Sequence, residues 1–193
     1  MIRLTGGSFR GRKIGCPKGK AVRPTTAFVR ESLFSILGSG IKGCHWLDVF
    51  AGCGIVGFEA LSRGAAHVVA IEKAPAHAKL IEQNREALGI APSQHQTLIM
   101  SADDWLAQAA KPGRWQGAPF DVIWLDPPFA MDDISDWIAT CLSLPHLLNP
   151  EGGVVIWEHR DQAPTMANSQ AEVCMFDRRH YSTASVSWFR QTP

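Results

Sequence analysis

The chain has 193 residues, of which 46% are hydrophobic and 19% charged, with a net charge of +1. That length suits one well-buried core and is short for two, so a single domain over 1–193 is expected. No apolar run reaches the ~18 residues of a membrane-spanning helix, and the opening MIRLTGGSFRGRK has no apolar stretch behind its charges to act as a signal peptide, so a cytoplasmic protein with no membrane partner is expected.

Charge is unevenly spread. Residues 1–30 carry eight of the 19 Lys and Arg and none of the 18 Asp and Glu, so a basic arm precedes an acidic body. Such an arm fits a polyanion. Within 1–22, the run IRLTGGSFRGRKI has apolar residues on both sides of Gly6-Gly7, the pattern of a short hairpin rather than a solvated tail. Arg10, Arg12 and Lys13 are its candidate nucleic-acid contacts. Five cysteines (Cys16, Cys44, Cys53, Cys141, Cys174) form no C-x-x-C pair and are read as reduced thiols, with no structural metal expected.

RPTT, residues 23–26, supplies a proline and threonine caps. AFVRESLFSIL then repeats apolar residues at Val29, Leu33, Ile36 and Leu37, which predicts a helix with one buried stripe, closed by GSG. From Cys44 onward short apolar runs alternate with helical segments: HWLDVF, GFEALSR, HVVAIE, HAKLIEQNREALG, TLIM, ADDWLAQAA, FDVIWL, ISDWIATCLSLP and GGVVIWE. This alternation predicts an α/β fold with a mostly parallel sheet covered on both faces. The end differs, because AEVCMFDRRHY and ASVSWFR are strand-like with no helix between them and predict an antiparallel terminal pair.

In LDVFAGCGIVGFEALSRG, Gly52-x-Gly54-x-x-Gly57 follows a predicted strand and opens a helix, and Glu72 ends the next strand. The glycines allow a tight turn and close approach of a ligand, while the acid can accept from ribose hydroxyls. Asp48, at the end of the first strand, would repel a pyrophosphate and attract ammonium and sulfonium groups, which favours S-adenosylmethionine over NAD. The alternative role for Asp48 is to cap the glycine turn. In SADDW, Asp103 is placed to accept from an adenine amino group; alternatively Asp103 or Asp104 caps the following helix.

LDPPF, residues 125–129, ends the strand FDVIWL. An amino group on a heteroaromatic ring is a poor nucleophile because its lone pair is delocalised. Two acceptors, the Asp126 carboxylate and a backbone carbonyl held by Pro127 and Pro128, could draw on its two N–H bonds and aim the lone pair at an electrophilic methyl. The ring of Phe129 would stack on the base. A plain turn after a strand is the alternative.

These segments, with the opening GGSFRGRKI and RPTTAFVRESLFSIL, resemble the RsmD family of bacterial guanine-N2 methyltransferases acting on 16S ribosomal RNA, which have the class I, Rossmann-like, S-adenosylmethionine-dependent fold. The resemblance runs through the fifth strand and rests on three separated segments in the same order. It implies that Asp48, Gly52 and Gly54 line the methionine end of the cofactor, Glu72 the ribose and Asp103 the adenine. Asp126, Pro127, Pro128 and Phe129 would hold the target base. Arg23, Pro24, Thr25 and Thr26 would lie near the cofactor mouth, and the basic arm would meet RNA, within a 30S particle or an assembly intermediate. Cys53 stands where the family more usually has Ser, Phe129 where it has Tyr, and Ala27 where it often has an acid. A monomer is expected. Two rival functions share parts of this pattern. A DNA adenine or cytosine amino methylase would normally need a target-recognition domain, for which 193 residues leave little room. A non-catalytic RNA-binding assembly factor would not need an intact Asp126.

Overall fold

The computed structural model describes residues 1–17, 24–128, 131, 134–160, 173–182 and 184–192. The chain divides into two compact units, Met1–Trp105 and Leu106–Pro193.

The first unit opens with the expected hairpin, β1 (Ile2–Arg3) paired antiparallel with β2 (Lys13–Ile14). Its chain reversal lies past Gly6-Gly7, and these glycines serve a close approach instead. Gly7 has φ 73°, and a Cβ on it would sit 1.8 Å from the carbonyl oxygen of Ser62. Ser62 ends α2 (Ile55–Ser62), and its carbonyl accepts from the Ser8 N–H at 2.7 Å, so the hairpin closes the C-terminus of that helix.

Helix α1 (Ala27–Leu37) starts at Thr26, whose hydroxyl accepts from the Val29 N–H at 3.3 Å. It buries Val29, Leu33 and Phe34 together with Arg30, while Ile36 is 41% exposed. The apolar stripe predicted from spacing is therefore rotated. Drawing Arg30 inward moves the buried arc toward Phe34 and leaves Ile36 at its margin.

Strands β3 (His45–Val49), β4 (His67–Glu72) and β5 (His95–Ile99) run parallel with β4 in the middle. Helix α2 packs on β3 and β4, and α3 (Pro75–Leu88) on β4 and β5. Burial on both faces holds for β3 and β4 but not for β5, the outer strand, where Ile99 is 60% exposed. Pro75 opens α3 and Gly89, at φ 71°, ends it.

The division between the units falls within α4 (Ala102–Ala109). The second unit contains β6 (Val122–Leu125), α5 (Ser135–Ser143), β7 (Val154–His159), β8 (Val173–His180) and β9 (Ser185–Gln191). Their order is β6-β7-β9-β8, with β6 and β7 parallel and β9 antiparallel to both neighbours. The antiparallel terminal pair is thus present. Helix α5 covers β7 and β9, and Ile123, Ile138, Ile156 and Trp188 are core residues of this unit. No helix among the described residues is long and apolar enough to cross a membrane.

Candidate active site

The turn between β3 and α2 is built from left-handed residues at close spacing: Phe50 (φ 65°), Gly52 (φ 59°) and Gly54 (φ 75°). Phe50 is the only non-glycine residue with positive φ among the described residues. A conformation of that kind costs on the order of 1–3 kcal/mol and persists where the surroundings fix it. Here the Ala51 N–H donates to the Ile71 carbonyl at 2.9 Å, and the Gly52 N–H to Glu72 Oε2 at 2.8 Å. Gly57 answers to packing, since a Cβ there would lie 2.9 Å from Val68 Cγ1 and 3.2 Å from Asp48 Oδ2.

Glu72 is nearly buried at the carboxyl end of β4 and is held at both oxygens, with Oε1 accepting from the Ala74 N–H at 2.7 Å. A carboxylate offers about four lone-pair directions, so two remain for hydroxyl donors. Asp48 is buried at the end of β3, and its Oδ2 accepts from the Gly57 N–H at 3.0 Å. The capping role is therefore real for one oxygen, and its target is the first turn of α2. Burial pushes the Asp48 carboxyl from 3.8 up to about 7; the Gly57 hydrogen bond opposes the rise and the Glu72 charge adds to it. Two carboxylates at the ends of adjacent strands suit a ligand with a ribose diol and cationic groups and oppose a pyrophosphate.

A raised carboxyl pKa has a stability consequence. Between pH ~4 and ~7 the folded chain holds a proton on Asp48 that the unfolded chain has released, so stability falls as pH rises through that window. The expected loss from this group is roughly 4 kcal/mol, complete above pH ~7. Asp48→Asn keeps an acceptor for Gly57 and should flatten the slope by that amount in denaturant titrations at a series of pH values. Identical slopes for the two proteins would contradict the assignment.

Asp103 is exposed in the first turn of α4 but does not precede the helix as a cap residue would. Ser101 does so, its hydroxyl accepting from the Asp104 N–H at 3.0 Å and donating to Asp104 Oδ2 at 2.7 Å. Thr25 and Thr26 line a cleft of about 620 Å³ together with Arg3 and Arg10 of the hairpin. Arg23 and Phe129, both predicted site residues, lie outside the described residues.

The basic arm is not uniformly available to a polyanion. Arg10, Arg12 and Lys13 are all exposed, and Arg12 in addition donates to the carbonyls of Ala87 and Leu88 and closes the C-terminus of α3. Arg30 is buried, with its guanidinium 3.4 Å from Glu59 and donating to the carbonyls of Thr25 and Arg3.

Glu59 and Asn84 are the residues that spacing did not reveal. Glu59, fully buried, accepts from the Thr5 hydroxyl at 2.6 Å and the Gly6 N–H at 2.8 Å and pairs with Arg30 and Arg63. Asn84 accepts from the Gly15 N–H at 2.8 Å and donates to the Cys53 carbonyl at 3.2 Å, which ties the arm to the glycine turn. None of the five cysteines forms a disulfide; burial, then a contact with Cys16, pushes the Cys53 thiol up.

In the second unit, Asp126 and Pro127 are half-buried and Pro128 is exposed, directly after the last paired residue of β6. The Pro128 carbonyl accepts from the Met131 N–H at 2.8 Å, so the turn alternative describes part of this segment. A turn accounts for Pro128. It does not by itself require an acid at the carboxyl end of a parallel strand, where open α/β sheets bind ligands.

The family model described as Conserved hypothetical protein 95 matches residues 2–190. Ribosomal RNA small subunit methyltransferase D of Escherichia coli (strain K12) is 38% identical over 129 residues, which are 67% of this chain and 61% of that protein. The match therefore spans less than two thirds of the Escherichia coli relative. The protein of the same name from Haemophilus influenzae is 33% identical over 162 residues, 83% of this chain and 80% of its own. The solved structure of yhhF from Escherichia coli has a TM-score of 0.79 at 29% identity and covers 98% of this chain and 97% of that one. The fold is thus the Rossmann-like class I fold of S-adenosylmethionine-dependent methyltransferases. With a model matching nearly the whole chain and a relative one third identical over most of it, the chain belongs to the RsmD family, the ribosomal RNA small subunit methyltransferase D proteins.

Proposed function

We propose that the protein transfers a methyl group from S-adenosylmethionine to the exocyclic N2 amine of a guanine in small-subunit ribosomal RNA. The cofactor supplies an electrophilic methyl group. Asp48 and the backbone at Gly52 and Gly54 hold its methionine end, Glu72 its ribose and Asp103 its adenine. Thr25, Thr26 and Arg23 belong to the segment near its mouth.

The observation that carries the reading is Asp126, half-buried at the carboxyl end of β6 and followed by two prolines. An aryl amine needs its N–H bonds drawn toward acceptors before its lone pair can form a bond. Asp126 is one acceptor. The Pro127 carbonyl, held between the two prolines, is the other; that of Pro128 already spends one of its two lone pairs on the Met131 N–H. Fixing acceptors in advance lowers the barrier where charge develops, and proline supplies that fixity through its locked φ. Phe129 gives the base a stacking face. Arg10, Arg12 and Lys13 are phosphate contacts, and the protein acts as a monomer in the cytoplasm.

The test offers labelled S-adenosylmethionine to the protein with undermethylated 30S subunits, with duplex DNA and with protein, and measures which pool takes up label. Label in small-subunit RNA alone is expected. Label in DNA would favour the amino-methylase alternative, and label in no pool the non-catalytic one.

A further inference from the structure

From the terminal strand pair we infer that the β8–β9 hairpin is a second RNA-binding surface, one that holds unpaired nucleotides flanking the target. The inference rests on the reading of the chain as an RNA methyltransferase. The chain beyond residue 30 is acidic on balance, yet the described part of this hairpin carries Arg178, Arg179 and Arg190 against Asp177 alone.

A bulge decides which of these residues share a face. Met175 pairs with Phe189 but Asp177 with Trp188, so Phe176 and Asp177 together oppose one residue. In an unbroken alternation Phe176 would share its face with Arg178. The bulge instead brings Asp177 and Arg179 onto the face of Phe176 and turns Arg178 to the other, where its Nε donates to the Ser187 hydroxyl at 3.0 Å. The 2.9 Å contact between Arg179 Nε and Asp177 Oδ2 fits that arrangement.

The face so made has the parts of a nucleotide platform. Phe176 is 43% exposed, with the Arg190 guanidinium 5.1 Å from its ring centre. Arg179, steered by Asp177, has a side chain that is 55% exposed. A ring and a guanidinium offer flat surfaces to an unstacked base, and the remaining arginine suits a phosphate.

Register gives the patch its direction. Leu125 pairs with Trp157, Trp157 with Ser187 and Ser187 with Arg178, so one row of residues crosses the four strands. The next row runs through Glu158, Val186 and Arg179, level with Asp126. Arg179 therefore stands at the same sheet edge as the proposed catalytic acid, three strand spacings away, about 14 Å. An RNA strand with its target base at Asp126 would reach the hairpin along that edge. Pairing of β8 with a second copy of the chain is the competing use of an edge strand, and a bulge with adjacent arginines is the usual device against it.

The test measures binding of the full chain to a short fluorescein-labelled single-stranded RNA by anisotropy across a salt series, beside single-turnover methyl transfer to undermethylated 30S subunits. Phe176→Ala should weaken binding roughly five- to a hundredfold and Phe176→Trp should restore it. Arg179→Gln should lower the salt slope by about 0.7. Cofactor affinity and melting temperature should stay at wild-type values in all three variants. Wild-type RNA affinity and slope in Phe176→Ala and Arg179→Gln would overturn the inference, as would a dimer that Phe176→Ala dissociates with RNA affinity unchanged. If the wild-type protein methylates no small-subunit RNA yet these variants lose RNA affinity, the proposed reaction fails and the surface stands.

Discussion

Asp126→Ala is expected to lose roughly a hundredfold or more of single-turnover methyl transfer, the usual cost of removing one preorganised group aimed at developing charge. Binding of S-adenosylmethionine, read by calorimetry, should change little, because the carboxylates and glycine turn assigned to the cofactor all lie in the first unit while Asp126 lies in the second. This separates chemistry from binding. Asp126→Asn keeps one acceptor oxygen and should fall between Ala and wild type. Near-normal transfer by a folded Asp126→Ala protein would remove the catalytic assignment and leave Asp126-Pro127-Pro128 as a turn.

Glu59→Ala should cost about 3–5 kcal/mol of stability, the range for removing one partner of a buried ion pair. Glu59 is fully buried, and its loss leaves the Arg30 guanidinium without its counter-charge in the interior and the Thr5 and Gly6 donors without their acceptor. For a chain of this size that corresponds to a fall in melting temperature of roughly 6–20 °C. Hydrogen exchange should show the effect first at Thr5, Gly6 and Ser8, whose amides fasten the N-terminal hairpin to α2. A melting temperature within about 2 °C of wild type would show that the hairpin is held by other contacts.

What could be read from the sequence follows the range of the interactions involved. Gly52, Gly54 and Glu72 form a fingerprint of fixed spacing, and the Gly52–Glu72 hydrogen bond is that spacing made physical. Glu59 could have been suspected as an acid in a helix whose every residue is buried, since such a charge needs partners. Its partners could not, because Thr5 and Gly6 are more than fifty residues away in the chain. Composition places Arg12 and Arg30 in one basic stretch. The first closes a helix end and the second sits in the core, and neither use leaves a trace in local sequence. The helix start, by contrast, is local: Ser101-x-x-Asp104 is a capping pattern within four residues of sequence.

The proposed nucleophile is the N2 amine of a guanine held by Asp126 and the Pro127 carbonyl. The most direct measurement is single-turnover methyl transfer to reconstituted 30S particles carrying guanosine or inosine at the nucleotide where label is mapped. Inosine keeps the ring and the N1–H edge and lacks only the amine, so binding should weaken by the worth of one or two hydrogen bonds, about 1–3 kcal/mol. Transfer to the guanosine particle and none to the inosine particle is the predicted result. Methyl incorporation at the inosine would contradict it, because the atom that Asp126 is said to hold would be absent.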